Sequence, residues 1–211
     1  MIKIINSFPN PEDSLGLLAK LFPKIAGKDP DAAVRLAGML HDPKVAKWAR
    51  ALIITTVANS DPEKALNLAN SIGKDRIGLH YENIFKKWVQ LDPKNAMDNW
   101  SKMIASPEKD RAAHVLVDGW ANQDPQGLLD YVTANPGFSF RREAMSGAIA
   151  QLGKINVSSA MKYIKESNLG DFKIQLASTL IKSIDGNADV TQVISWVKEM
   201  PGGGAQDAGR H

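Results

Sequence analysis

One dipeptide, Asp-Pro, recurs along this chain at nearly constant intervals. The four pairs are separated by 32, 31 and 32 residues and begin at Asp29, Asp61, Asp92 and Asp124. The segments that follow share a small or apolar fifth residue and apolar residues near the sixth, eighth and ninth positions: DPDAAVRLA, DPEKALNLA, DPKNAMDNW and DPQGLLDYV. The pattern continues without proline from Asn156 and Asp189, and a shorter interval separates its first copy at Asn10 from the next. Such internal periodicity predicts a repeat protein.

Each Asp-Pro pair predicts the start of a helix. An Asp or Asn side chain at the N-cap accepts a hydrogen bond from an unpaired backbone N–H, and proline at the first helical position gives up an N–H that has no partner. The apolar residues that follow keep helical spacing, as in Ala65, Leu66, Leu68, Ala69 and Ile72. Each unit then holds a second helical stretch, predicted at 44–59, 76–90, 109–123, 141–154 and 172–184.

These helix pairs predict an all-α solenoid, because a helical hairpin buries its apolar face only by stacking on its neighbours. We expect a single solenoid domain over residues 1–200 with roughly 12 helices. A capping helix is predicted at 11–27 and a terminal helix at 189–199, with hairpins between them at 29–60, 61–91, 92–123, 124–155 and 156–188. The Gly-rich end, residues 201–211, is predicted to be a disordered tail.

The segments between units carry a family resemblance, which rests on WVQLDPKNAMDNW and WANQDPQGLLDYV. They are similar to the tetratricopeptide and related repeats, and most of all to a class of bacterial repeats in which WA..DP..A..W recurs. The resemblance covers about residues 10–200. It implies a right-handed α-α superhelix whose concave face binds a protein or a peptide. The tetratricopeptide consensus itself is not met, since its Trp-Leu-Gly and Tyr positions and its late proline are missing or displaced.

Composition narrows the class of protein. The 26 basic and 23 acidic residues give a formal net charge of +3, which falls short of the dense basic surface of a typical nucleic-acid-binding protein. The longest apolar runs, such as ALIITTVA, fall below the roughly 18 to 20 residues of a membrane helix, so no membrane span is expected. Because MIKIINSFPNPED does not resemble a signal peptide, we expect a cytoplasmic location by default, or an exported one if a leader has been removed.

The aromatic residues are interpreted mainly as core. Trp88 and Trp120 precede an Asp-Pro by four residues, so we expect both to pack in the last turn of a second helix. Four further aromatics share a register on the first helices and are interpreted as spacers between layers: Trp100, Tyr131, Tyr163 and Trp196. Trp48 breaks the register beside Lys44, Lys47 and Arg50, and it is a candidate exposed anchor for a partner.

Catalytic patterns are scarce. His41, His80, His114 and His211 fall in different units without metal-ligand spacing, and no serine lies in a nucleophile motif. The Asp residues of the Asp-Pro pairs are needed as helix caps, so they are not interpreted as an acidic site. The sequence therefore predicts a protein that is not an enzyme and uses no metal or cofactor.

The remaining question is the partner. A base-reading repeat would keep one polar position in every unit, and the polar residues of these first helices do not recur, so we do not expect nucleic acid as the partner. Varied polar positions are typical of a surface for one protein or peptide. The predicted partner-binding residues on the first helices are Asn67, Asn70, Asn99 and Lys102, with Trp48 added from a second helix. A sequence-tolerant RNA or DNA binder and an enzyme on a helical scaffold are kept as alternatives, and the oligomeric state is left open.

Overall fold

A computed structural model of the chain describes residues 2–71, 78–184 and 187–198, and every regular element in these ranges is helical. Because no strand occurs there, the predicted all-α class is confirmed. A 3-10 turn at Pro11–Ser14 accompanies thirteen α-helices in the described ranges: α1 (Ile2–Ile5), α2 (Leu15–Ala26), α3 (Pro30–Gly38), α4 (Pro43–Ala58), α5 (Pro62–Ser71), α6 (Gly78–Leu91), α7 (Pro93–Ser101), α8 (Pro107–Gln123), α9 (Pro125–Ala134), α10 (Arg141–Ile155), α11 (Val157–Glu166), α12 (Phe172–Ser183) and α13 (Asn187–Lys198).

The helices match the predicted hairpins closely. First helices are α3, α5, α7, α9 and α11, and the second helices that follow them are α4, α6, α8, α10 and α12. The predicted capping helix corresponds to the 3-10 turn and α2, and the terminal helix corresponds to α13. The short helix α1 was not predicted, because four residues are too few to display helical periodicity. Predictions on Ile72, His211, the tail at 201–211 and the side chains of His80 and Asp189 lie outside the described residues.

One residue joins each repeat to the next from α6 onward. Asp92, Asp124 and Asn156 are the only residues between their two helices. Each backbone N–H donates to the carbonyl four residues earlier, at 2.8, 2.8 and 2.7 Å, and so continues the preceding helix. Each side-chain Oδ1 accepts the N–H three residues later, at 3.0, 2.9 and 3.0 Å, and so caps the next helix. Asp29 and Asp61 make the same two bonds, which confirms that the Asp-Pro pairs are helix starts.

The repeating apolar positions form the core. The fifth residue of every unit is fully buried, namely Ala33, Ala65, Ala96, Leu128 and Ala160. The ninth residue is buried as well, and there Ala37, Ala69, Trp100, Val132 and Ile164 occupy it. Trp88 and Trp120 are 3% and 5% exposed, so their predicted role in the core is confirmed. Gly153 of α10 has no room for a side chain, because a Cβ there would lie 2.5 Å from Leu180 Cδ1 of α12.

The chain divides into two compact units, Met1–Leu116 and Val117–His211, with the boundary inside α8. In the first, called unit 1 below, α4 packs against the second helix α6 and against α2, which precedes the first hairpin. α4 also packs against the first helices α3 and α5. In the second, called unit 2, α10 packs against α9, α11 and α12, and α12 packs against α13. The single domain proposed over residues 1–200 stays a prediction.

Candidate functional site

The predicted partner-binding asparagines of unit 1 lie on the outward side of first helices. Asn67 and Asn70 are exposed on α5, opposite the buried Ala65 and Ala69, while Asn99 is half-buried on α7. We call the outward surface of α3, α5 and α7 the first-helix face. Side chains link neighbouring first helices across it, since Lys64 Nζ of α5 lies 3.3 Å from Asp31 Oδ2 of α3.

Two of these amides are oriented by hydrogen bonds. The Tyr81 hydroxyl of α6 donates to Asn70 Oδ1 at 2.5 Å, which leaves the Asn70 Nδ2 group available as a donor among the described residues. The Asn99 Nδ2 group donates to the Asn95 carbonyl at 3.0 Å and to Asn95 Oδ1 at 3.1 Å, which leaves Asn99 Oδ1 available as an acceptor. The face therefore has one amide donor and one amide acceptor whose positions are set by other side chains.

The other predicted residues are unconstrained or lie elsewhere. Asn67 and Lys102 are exposed, and their side chains make no hydrogen bond or ion pair with another described residue. Trp48 is half-buried on α4, a second helix, whereas the three asparagines lie on first helices. Among the described contacts, no hydrogen bond joins any two of these five residues. The structure thus groups Asn67 and Asn70 on one helix and leaves Trp48 in the other layer.

A charged cluster lies behind Asn70. Arg111 Nε of α8 is 2.9 Å from Glu82 Oε1 of α6, and its Nη2 is 3.3 Å from Glu108 Oε1. Burial, and then the negative charge of Glu108, raises the pKa of Tyr81 above its ordinary value. The pKa of Glu108 is lowered mainly by a backbone hydrogen bond; burial opposes this, and the charge and hydrogen bond of Arg111 and a hydrogen bond from Ser106 lower it further. Tyr81 is therefore a neutral hydrogen-bond donor at physiological pH.

Three basic residues on second helices have structural partners. Each lies 17 residues after the joint Asp or Asn of its repeat, and the three are Lys109, Arg141 and Lys173. Lys109 Nζ donates to the Ser101 and Met103 carbonyls at 3.0 and 2.6 Å. Arg141 Nε donates to the Val132 carbonyl at 3.0 Å, and Lys173 Nζ to the Lys165 carbonyl at 2.9 Å. Each cation caps the end of the preceding first helix, where carbonyls lack partners.

The Lys109 contact is the most extensive of the three. Its ammonium group lies 4.7 Å from the centre of the Trp100 ring. Trp100 Nε1 in turn donates to the Lys109 carbonyl at 2.7 Å. Trp100 of α7 therefore contacts Lys109 of α8 twice, once through its ring and once through its indole N–H. The constant spacing of 32 residues between the three cations is the sequence signal that could have identified this group.

In unit 2 the aromatic residues of the first helices also connect neighbours. Tyr131 of α9 packs on Trp120 of α8 with ring centres 5.2 Å apart. The Tyr163 hydroxyl of α11 lies 2.8 Å from Thr133 Oγ1 of α9. Both tyrosines are half-buried and connect neighbouring helices, since Tyr131 joins α9 to α8 and Tyr163 joins α11 to α9.

The described residues contain no group of three His, Asp or Glu side chains placed to hold a metal ion. None of the described helices combines the length and apolar character needed to cross a membrane. The predicted asparagines give the first-helix face a set of neutral amides beside its balanced charges. A peptide group has one donor and one acceptor, and an asparagine amide matches both.

The chain itself contains an example of an asparagine that holds backbone in this way. Asn6 Nδ2 donates to the Met39 carbonyl at 3.0 Å, and Asn6 Oδ1 accepts the His41 N–H at 3.1 Å. One amide thereby fastens the segment after α1 to the loop between α3 and α4.

Comparison with known protein families, with curated proteins and with solved structures finds no match for this chain.

Proposed function

We propose that this chain is a non-enzymatic helical-repeat protein of the tetratricopeptide type, and that its first-helix face binds an extended peptide of a protein partner. The observation that carries the proposal is the fixed orientation of two amides, with Asn70 presenting a donor and Asn99 an acceptor. An extended peptide alternates donors and acceptors along its backbone, so such amides can bind main chain whatever the side chains are.

The charge of this face supports a neutral ligand. The helices α3, α5 and α7 hold three basic and three acidic residues, and one pair of them, Lys64 and Asp31, forms an ion pair. Phosphate-binding surfaces are strongly positive, and this one is balanced. Binding through amides therefore fits this face better than binding through charge.

The proposal also accounts for the side chains behind the face. The Tyr81 hydroxyl donates a hydrogen bond to Asn70 Oδ1, and this bond prevents the amide from rotating to present its oxygen to a ligand. A preoriented donor loses less conformational entropy on binding than a free side chain does. Asn67, whose amide is free to turn, offers either group at the next exposed position of the same helix.

The test is selection from a displayed library of random twelve-residue peptides on the immobilised full chain, followed by measurement of Kd for the selected peptides. We expect Asn70→Ala and Asn99→Ala each to weaken binding by about 2- to 12-fold, since one neutral hydrogen bond contributes about 0.5–1.5 kcal/mol. A peptide methylated at single backbone nitrogens should lose affinity at the nitrogen that faces Asn99.

The matched control is Asn83→Ala, because Asn83 is an exposed asparagine on the second helix α6. Its affinity should equal that of the unmodified chain. If selected peptides bind the Asn70 and Asn99 variants with unchanged Kd, or if no peptide is selected, the first-helix face is not a peptide site.

A further inference from the structure

The helices α2, α4 and α6 of unit 1 carry almost only positive charge. They contain seven Lys or Arg residues and one acidic residue, Glu82, which is paired with Arg111. Six of the seven basic side chains are exposed, and their ammonium groups make no ion pair or hydrogen bond with other described residues. We call these six the basic face: Lys20, Lys24, Lys44, Lys47, Lys86 and Lys87.

Packing places the three helices that carry these lysines side by side. α4 contacts α2 and α6 on its flanks and the first helices α3 and α5 beneath, so its remaining side carries exposed Lys44 and Lys47. Since packed helices lie about 8–10 Å apart, the three outward sides together span roughly 20 Å. The six lysines therefore lie on three neighbouring helices and not along a single one.

This excess of charge is particular to the second-helix layer of unit 1. The first helices of the same unit have balanced charge, as described above. In unit 2, α10 and α12 carry five basic residues, yet three of them are engaged. Arg141 and Lys173 bind carbonyls, and the Arg142 guanidinium lies 5.2 Å from the centre of the Phe172 ring.

We propose that the basic face binds the phosphate backbone of double-stranded nucleic acid without reading its sequence. Lysine ammonium groups are point charges suited to phosphate, and such interfaces need no apolar core. The width of the face matches a duplex, which presents two rows of phosphates, better than it matches a single strand held in a groove. The prediction that nucleic acid is not a partner rested on the small net charge of the whole chain and on base reading by first helices, whereas the basic face concentrates positive charge on α2, α4 and α6.

Other anionic partners fit the surface less well. A membrane-bound helix inserts exposed large apolar side chains beside its cations. Among the described residues of α2, α4 and α6, one large apolar side chain is exposed, that of Leu91 at the end of α6. An acidic protein would need an apolar or aromatic interface core, and the half-buried Trp48 is the sole aromatic near these lysines on α4.

The test measures binding of the full chain to a fluorescent 20-base-pair DNA duplex of random sequence by anisotropy as salt is raised. With up to six phosphate contacts, the slope of log K against log salt should approach about −5, since each contact contributes about −0.9. The variant with Lys44→Gln, Lys47→Gln, Lys86→Gln and Lys87→Gln should bind at least tenfold more weakly, and its slope should fall to about −2.

The matched control neutralises four exposed lysines of unit 2 and changes the net charge equally, from +3 to −1, since 3 − 4 = −1. This variant, with Lys154→Gln, Lys162→Gln, Lys165→Gln and Lys182→Gln, should keep the slope and most of the affinity of the unmodified chain. Equal losses in both variants would show that overall charge, and not this face, controls binding. Absence of duplex binding at low salt overturns the proposal, as does preferred binding to oligo-dT or to phosphatidylserine vesicles.

Discussion

Replacement of Lys109 by methionine tests the C-terminal capping of first helices. Methionine keeps the length and apolar stem of the side chain but removes the ammonium group. That group makes two hydrogen bonds to carbonyls, of which the one to Met103 is part-buried, and it lies over the Trp100 ring. Hydrogen bonds to a charged group contribute about 1.5–3 kcal/mol, and exposure reduces this, so we expect a loss of about 2 kcal/mol.

The three cations should differ in how much stability is lost when each is replaced by methionine. Arg141 makes one part-buried bond, for which we expect a loss of about 1 kcal/mol on Arg141→Met, and Lys173 makes one exposed bond, for which we expect about 0.5 kcal/mol. Thermal unfolding followed by circular dichroism should show these differences, at about 2–4 °C per kcal/mol for a chain of this size. Lys94→Met is the control, because Lys94 is exposed on α7 and its ammonium group has no described partner.

Two results would refute this explanation. One is a loss for Lys109→Met no larger than that for Lys94→Met, which would mean that water replaces the ammonium group at no cost. The other is a reversed order, with Lys173→Met the most destabilised. The order matters more than any single value, because the three positions share the same place in the repeat and differ mainly in burial and in the number of bonds.

Three further outcomes are expected. Gly153→Ala should destabilise the chain by about 1 kcal/mol, because the new methyl group overlaps the side chains of α12, while Gly16→Ala, in open space on α2, should stabilise it by about 0.5–1 kcal/mol; urea unfolding measures both. Asp124→Ala should cost about 1 kcal/mol in the same assay through loss of the cap, whereas Asp118→Ala, at an exposed position within α8, should stay within about 0.5 kcal/mol of the unmodified chain. Since the pKa of Tyr81 is raised in the folded chain, the stabilisation by its hydroxyl group is complete below pH about 10 and is lost as pH rises through the raised pKa. The difference in melting temperature between the unmodified chain and Tyr81→Phe should therefore narrow above that pH. A difference that stays constant would contradict the hydrogen bond assigned to this hydroxyl.

Part of the candidate site could be predicted from the sequence pattern, and part of it depends on helix packing. The sequence identified exposed asparagines on first helices, because polar residues opposite a buried stripe face outward. It could not orient them, since Asn70 is fixed by Tyr81 from the following helix. It also could not relate Lys44 to Lys86, because the two are distant in sequence and their helices become neighbours only when α4 packs against α6.

The repeat length, the helix starts and the buried stripe can be predicted from the amino-acid order alone. These follow from local chemistry, since Asp and Pro cap a helix within three residues and apolar spacing selects the buried side. Which cations are engaged and which are free depends on how the helices pack. Lys109 and Lys44 have the same side chain, yet one binds carbonyls of the preceding helix and the other has no partner among the described residues. That difference depends on which helix ends come within reach, and distance in space is not encoded in any short segment.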